Sequence, residues 1–236
     1  MTIYPGGVMS GALLDLLLPA SCAGCGEPGS QLCPVCRALL AGLRAAPAAA
    51  HPTPPGLLPL HSCAVYRDPL RRLLIAHKER GALRLAGPLG AVLAEAVRGA
   101  LTEAAPGPHR HPVLLVPVPS ARHAVRARGQ DATRRLARSA AGRLGRNGLP
   151  CRVAPVLRQH RPVADQAGLG AGQRRANLHR ALTVPPRFHT ALRGRRLVLV
   201  DDLVTTGASL AEAARALRAA GAPPLAAATV AATARR

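Results

Sequence analysis

Apolar and polar positions fall into blocks along the 236-residue chain. Residues 113–118 form a continuous apolar run stopped by Pro117 and Pro119, the mark of a parallel strand covered on both faces. Residues 197–200 and 225–232 have the same character, and 63–66 reads as a short strand. Between them, Leu70, Leu73, Leu74 and His77 fall on one side of a helix that Pro69 can start. Leu85, Leu89, Val92, Leu93 and Ala96 line a second helix over about 83–98, after a turn at Gly81. Residues 102–112 read as a loop. A third helix is predicted over 131–144 and a fourth over 209–220, closed by Gly221. Strands alternating with helices predict an α/β domain with a mainly parallel sheet. Ligands of such sheets bind at the carboxyl ends of the strands.

The flanking segments divide the chain further. The run 8–20 carries Asp15 and is too short to span a bilayer. It reads as an amphipathic helix packed through Leu13, Leu14, Leu16, Leu17 and Leu18. Residues 43–59 are rich in Ala, Pro, His and Gly, including Pro52, Pro54 and Pro55, and read as a linker. The expected organisation is an N-terminal helix and cysteine unit over 1–42, the linker, and the α/β domain over 60–236. Within that domain, 155–182 is polar, rich in Gly and Arg and poor in periodicity, as expected of a working loop.

Composition changes this picture in two ways. The chain is 48% hydrophobic yet has no Trp, two Tyr and one Phe, so Leu, Val and Ala must fill the core. Its formal charge is +21, from 32 basic and 11 acidic residues, which suggests a polyanionic partner. Every basic residue but Lys78 is Arg, and Ala, Gly and Pro are abundant too, so part of the charge reflects GC-rich codon usage. The distribution says more. Between Arg122 and Arg196 stand 18 Arg and two acids, Asp131 and Asp165, which points to an anionic ligand in that region. No secretory or membrane-spanning segment is visible, so a cytoplasmic protein without membrane insertion is expected. The oligomeric state is left open.

Cys22, Cys25, Cys33 and Cys36 form C-x2-C-x7-C-x2-C, two knuckles that offer four thiolates to a tetrahedral ion. Structural Zn²⁺ is expected, with the metal supplying much of the folding energy of so small a unit. Two disulfides would be the alternative in an oxidising compartment. Cys63 and Cys151 stand alone and read as small buried hydrophobes.

The densest chemistry lies in L-V-L-V-D-D-L-V-T-T-G-A-S. The apolar strand delivers Asp201 and Asp202 together, and their mutual repulsion is relieved by a diol or a cation. Carboxylates accept hydrogen bonds from the 2′ and 3′ hydroxyls of ribose and also suit Mg²⁺. Beyond the turn, Thr205, Thr206 and Ser209 offer hydroxyls, and Gly207 lets the backbone approach a ligand. The amides of Thr205, Thr206, Gly207, Ala208 and Ser209 open a helix whose dipole favours a phosphate. Acids on one side and an anion hole on the other describe a phosphorylated ribose. The chain has no G-x-x-x-x-G-K-[ST] and no strand-linked G-x-G-x-x-G. The G-L-G-A-G at 168–172 follows no strand.

With these features in order, the sequence resembles the ComF family of competence-protein-F-like proteins from about Cys22 onward. The matching residues are the four cysteines, Tyr66 with K-E-R-G at 78–81, V-P-V-P at 116–119 and R-x-R-G at 126–129. They continue with Gln166, Arg174 or Arg175, Asn177, and V-D-D-L-V-T-T-G-A-S at 200–209. The resemblance implies a zinc ribbon joined to a type I phosphoribosyltransferase-like domain. It implies PRPP as ligand with Mg²⁺, and a pyrophosphate-binding loop at 119–129 with Arg128 as a grip. It also implies a hood over 152–180, with Arg174, Arg175 or Lys78 neutralising the leaving pyrophosphate. Asp201, Asp202 and Arg174 would be catalytic, in displacement of pyrophosphate by a nitrogen nucleophile. The competing implication is a non-enzymatic competence or DNA-processing module that binds single-stranded DNA or a protein of the competence machinery. The family's R-G-F-N-Q is replaced here by R-G-Q-D-A at 128–132. Asp131 there either caps a helix or adds negative charge beside the pyrophosphate site.

Overall fold

A computed structural model describes residues 21–107, 111–160, 172 and 177–234. The expected helix over 8–20, together with Asp165, Gln166, Arg174 and Arg175, lies outside the described residues.

Six strands make one sheet in the order β1-β2-β8-β7-β3-β4. They are β1 (Ala46–Ala48), β2 (Leu60–Val65), β3 (Val113–Pro117), β4 (Cys151–Val153), β7 (Leu197–Val204) and β8 (Ala226–Ala232). All neighbours are parallel except the β1–β2 pair. β5 (Arg158–Gln159) and β6 (Leu182–Thr183) form a separate antiparallel pair. The helices are α1 (Pro34–Gly42), α2 (Leu70–Glu79), α3 (Ala86–Ala104), α4 (Arg122–Arg128), α5 (Ala132–Arg146), α6 (His189–Leu192) and α7 (Ala208–Ala219).

Both sheet faces are covered, as the unbroken apolar strands require. On β3, Val113 and Leu115 face a cluster with Leu89, Leu93 and Leu136 of α3 and α5. Leu114 and Val116 face the opposite cluster, with Leu210, Ala213 and Leu217 of α7. Small side chains replace the missing aromatic bulk by letting elements approach closely. β8 is mostly alanine and almost wholly buried. At Gly90, a Cβ would lie 2.4 Å from Ser139 Cβ, so α3 and α5 cross where only glycine fits.

The structure differs from the sequence expectation at several points. The 43–59 segment is more than a linker: Ala46–Ala48 adds an edge strand, where Pro47 is tolerated because one side of an edge needs no donor. Helix α3 runs on to Ala104, into the expected loop, after a 3-10 turn at Leu83–Leu85. The expected loop at 119–129 contains α4, ended by Gly129 in the left-handed conformation at φ 67°. The 155–182 stretch is pinned at both ends by the β5–β6 pair.

Candidate functional site

β7 is an interior strand and carries both acids. Asp201 and Asp202 lie within the strand rather than in the loop after it, because pairing with β8 continues through Asp201–Thr229 to Val204–Ala232. Lys78, near the end of α2, reaches across to them. Its Nζ stands 2.8 Å from Asp202 Oδ2 and 3.2 Å from Oδ1. Asp201 Oδ1 accepts the Asp202 N–H at 2.8 Å and the Thr133 hydroxyl at 3.5 Å.

The electrostatics separate the two acids. Burial raises the Asp202 carboxyl, but the adjacent Lys78 ammonium overrides it and holds the group below its ordinary value. Asp201 is raised well above the ordinary carboxylate range by burial and then by the charge of Asp202. Burial opposes the charge on Lys78, yet the two acids raise its affinity for the proton. Two neighbouring carboxylates facing one ammonium favour a single negative charge, held on Asp202.

The wall beside this pair is polar. His77 is buried, its Nε2 is 3.4 Å from the Ala132 carbonyl, and burial lowers its pKa. Arg128, expected to grip pyrophosphate, instead donates to the carbonyls of Ala124 and Lys78 and to Glu79 Oε1, at 2.9–3.0 Å. It thereby straps α4 to the end of α2 that presents Lys78. Asp131 caps α5, accepting the Arg134 N–H at 3.0 Å.

The turn at 205–207 leads into α7, whose first backbone bond is Ala211 N–H to Gly207 O. The amides of 208–210 therefore open the helix without earlier-turn acceptors. Thr205, Thr206 and Ser209 are half-buried there. Gly207 has φ 67°, and a Cβ on it would lie 2.9 Å from Ala50 Cβ, 3.2 Å from Leu57 Cδ2 and 3.3 Å from Pro54 Cδ. What approaches this glycine is the 50–57 segment, so its role in the fold is to seat that segment.

The four cysteine sulfurs lie within 4.8 Å of one another. Cys25 Sγ and Cys33 Sγ are 3.6 Å apart, far beyond the roughly 2.05 Å of a disulfide. That distance is near the ~3.8 Å that two tetrahedral ligands at 2.3 Å impose. The set fits a structural metal such as Zn²⁺. Against burial, the amides of Cys33, Cys25 and Gly24 bring the Cys22 thiol down to about 6, while burial and the neighbouring thiols push Cys36 well above its ordinary value, so the cluster places its first negative charge on Cys22. The second pair opens α1, with Cys33 as N-cap accepting the Cys36 N–H. Cys22, Cys33, Cys36, Leu32 and Leu40 share one apolar cluster with Leu70, Leu73 and Leu74 of α2. The unit thus borrows core from the main domain. Cys63 and Cys151 stand apart from it, and burial raises their thiols to about 12 and about 11.

A second ion pair ties the base of the expected hood to α7. Glu212, 6% exposed, accepts the Leu182 N–H at 3.0 Å. It also pairs with Arg215, whose Nη2 donates to the Leu182 carbonyl at 2.8 Å. β6 is thereby fixed to the helix that starts at the 205–207 turn.

The structure brings Lys78, Asp201 and Asp202 together, with Arg128 behind them. Thr133 joins the acid pair without a motif to announce it; its position two residues after the Asp131 cap, at a helix start near the strand ends, was the available signal. Among the described residues, no helix is long and apolar enough to cross a membrane. No family model matches the chain, and no curated protein matches it.

Proposed function

We propose that the chain binds a phosphorylated ribose, with PRPP and Mg²⁺ as the fullest form of that ligand. The observation that carries this reading is the acid pair on an interior parallel strand, followed within a few residues by the N-terminus of α7. Acids that accept hydrogen bonds from sugar hydroxyls and amides that donate them to a phosphate then stand at the same end of the sheet. Asp201 and Asp202 would take the ribose hydroxyls, and Thr205, Thr206, Gly207, Ala208 and Ser209 the 5′-phosphate. Mg²⁺ would travel with the pyrophosphate, where phosphate oxygens supply its hard ligands. Phosphoribosyl transfer to a nitrogen nucleophile follows from the type I phosphoribosyltransferase resemblance. Catalysis would rest on positioning and charge stabilisation rather than on a dedicated base.

Calorimetric titration with PRPP and Mg²⁺ tests the reading: the wild type should bind and D202N should not. Wild-type protein that takes up no PRPP would refute it. Pyrophosphate release across a panel of nucleobases and amines then tests turnover.

One observation favours the DNA-binding reading as a second choice. Arg134, Arg138, Arg143 and Arg146 are exposed along α5, whose N-cap Asp131 is its only neighbouring acid in sequence. Binding of a single strand through this face would weaken steeply with added salt.

A further inference from the structure

The acid pair already holds a cation of its own. Both oxygens of Asp202 lie within 3.2 Å of Lys78 Nζ. One oxygen of Asp201 accepts the Asp202 amide and the Thr133 hydroxyl. A divalent ion needs such oxygens free, and Mg²⁺ demands near-octahedral order at about 2.1 Å. The ammonium lies where that ion would bind, and the two charges would repel at close range. The strap from Arg128 to the Lys78 carbonyl and to Glu79 fixes the end of α2 from which the lysine extends. The zinc-type cysteine unit packs on the same helix through Leu73.

We propose that Lys78 is the resident cation of the acid pair, and that the pair therefore receives sugar hydroxyls rather than a divalent ion. Lys78 neutralises Asp202, whose oxygens keep lone pairs for one sugar hydroxyl, and Asp201 with Thr133 exchanges hydrogen bonds with the other hydroxyl of a neutral diol. Any Mg²⁺ that accompanies PRPP then sits on the pyrophosphate, away from Asp202. The choice of a diol rests on the sugar-phosphate reading above; the exclusion of the metal does not.

The test uses full-length protein with its cysteine site saturated with Zn²⁺, and follows free Mn²⁺ by electron paramagnetic resonance. Wild type should take up no Mn²⁺ at this site. K78M and K78Q should bind it more than about tenfold more tightly, K78R should behave as wild type, and K78M/D202N should lose the gain. Mn²⁺ binding to wild type as tight as to the neutral variants overturns the proposal. Where K78M fails to fold, K78Q gives an independent neutral replacement for the same comparison. In parallel, ribose 5-phosphate is titrated in metal-depleted buffer and with added Mg²⁺. Equal affinity supports a metal-independent sugar site, and a strict need for Mg²⁺ overturns it. Absence of ribose 5-phosphate binding under both conditions overturns the diol half and the sugar-phosphate reading with it; Mn²⁺ exclusion by Lys78 in the same protein still upholds the resident cation.

Discussion

Lys78 and Asp202 are 124 positions apart in sequence and meet at 2.8 Å, joining the end of α2 to the interior strand β7. This contact links the cysteine unit, which packs on α2, to the acid pair. Removing either partner leaves the other charge without its counterpart in a poorly solvated place. Because Lys78 is 36% exposed, the cost falls below that of a fully buried pair. K78M and D202N should each lose about 1–3 kcal/mol of stability. The double variant should lose less than the sum, as a denaturant-based double-mutant cycle will show.

Asp201 should behave in the opposite sense. Its folded-state pKa is raised above its unfolded value, so its contribution favours folding at low pH and is lost as pH rises through the folded value. D201N removes that penalty and keeps an acceptor for the Asp202 amide. At neutral pH it should be more stable than wild type by on the order of 1 kcal/mol. The gain should vanish below about pH 3.9, where the wild-type group is protonated in both states. Denaturant midpoints measured across pH check both sign and window.

The cysteine unit should unfold together with α2, not alone. Chelation of its metal should lower the melting midpoint by on the order of 10 °C. It should also speed amide exchange over 70–79. Gly24 offers a finer probe: a Cβ there would lie 2.9 Å from Cys36 Sγ and 3.3 Å from Leu73 Cγ and Pro69 Cβ. G24A should cost about 1–3 kcal/mol and weaken metal affinity, read by competition with a chromogenic chelator.

Glu212 supports the joint between β6 and α7. E212Q retains an acceptor for Leu182 N–H but weakens the Arg215 pair, and E212A leaves the buried amide without a partner. The expected losses are about 1 kcal/mol and about 2–3 kcal/mol, in that order. Limited proteolysis near residues 158–183 should accelerate more in E212A than in E212Q.

Much of this architecture was legible from spacing alone. The continuous apolar strands β3, β7 and β8, and helices α2, α5 and α7, follow from periodicity, because their burial is one-sided for helices and two-sided for strands. α4 was missed because R-H-A-V-R-A-R offers one large apolar residue, so no stripe betrays it; only Gly129 marks its end. β1 was missed because A-P-A has no strand preference of its own and forms by pairing with β2. In the site, adjacent acids and a Thr-Thr-Gly turn are local signals. Lys78–Asp202, Arg128–Glu79 and Thr133–Asp201 are set by tertiary packing, which no local pattern encodes. Arg128 shows the difference most plainly: its motif suggested a ligand contact, and its guanidinium is bound to α2.

A sugar-phosphate site requires that the start of α7 hold a phosphate. Ser209 is the second residue of that helix, where a carboxylate is favourable to the helix dipole but repels a bound anion. Ribose 5-phosphate titrated into wild type and S209D, with ³¹P chemical shift as readout, separates folding from binding. A phosphate seated there gives a shifted signal with wild type and none with S209D, and the melting midpoint of S209D is expected to be no lower than that of wild type. A wild-type titration without a shift, or an S209D protein that binds as well as wild type, would contradict it.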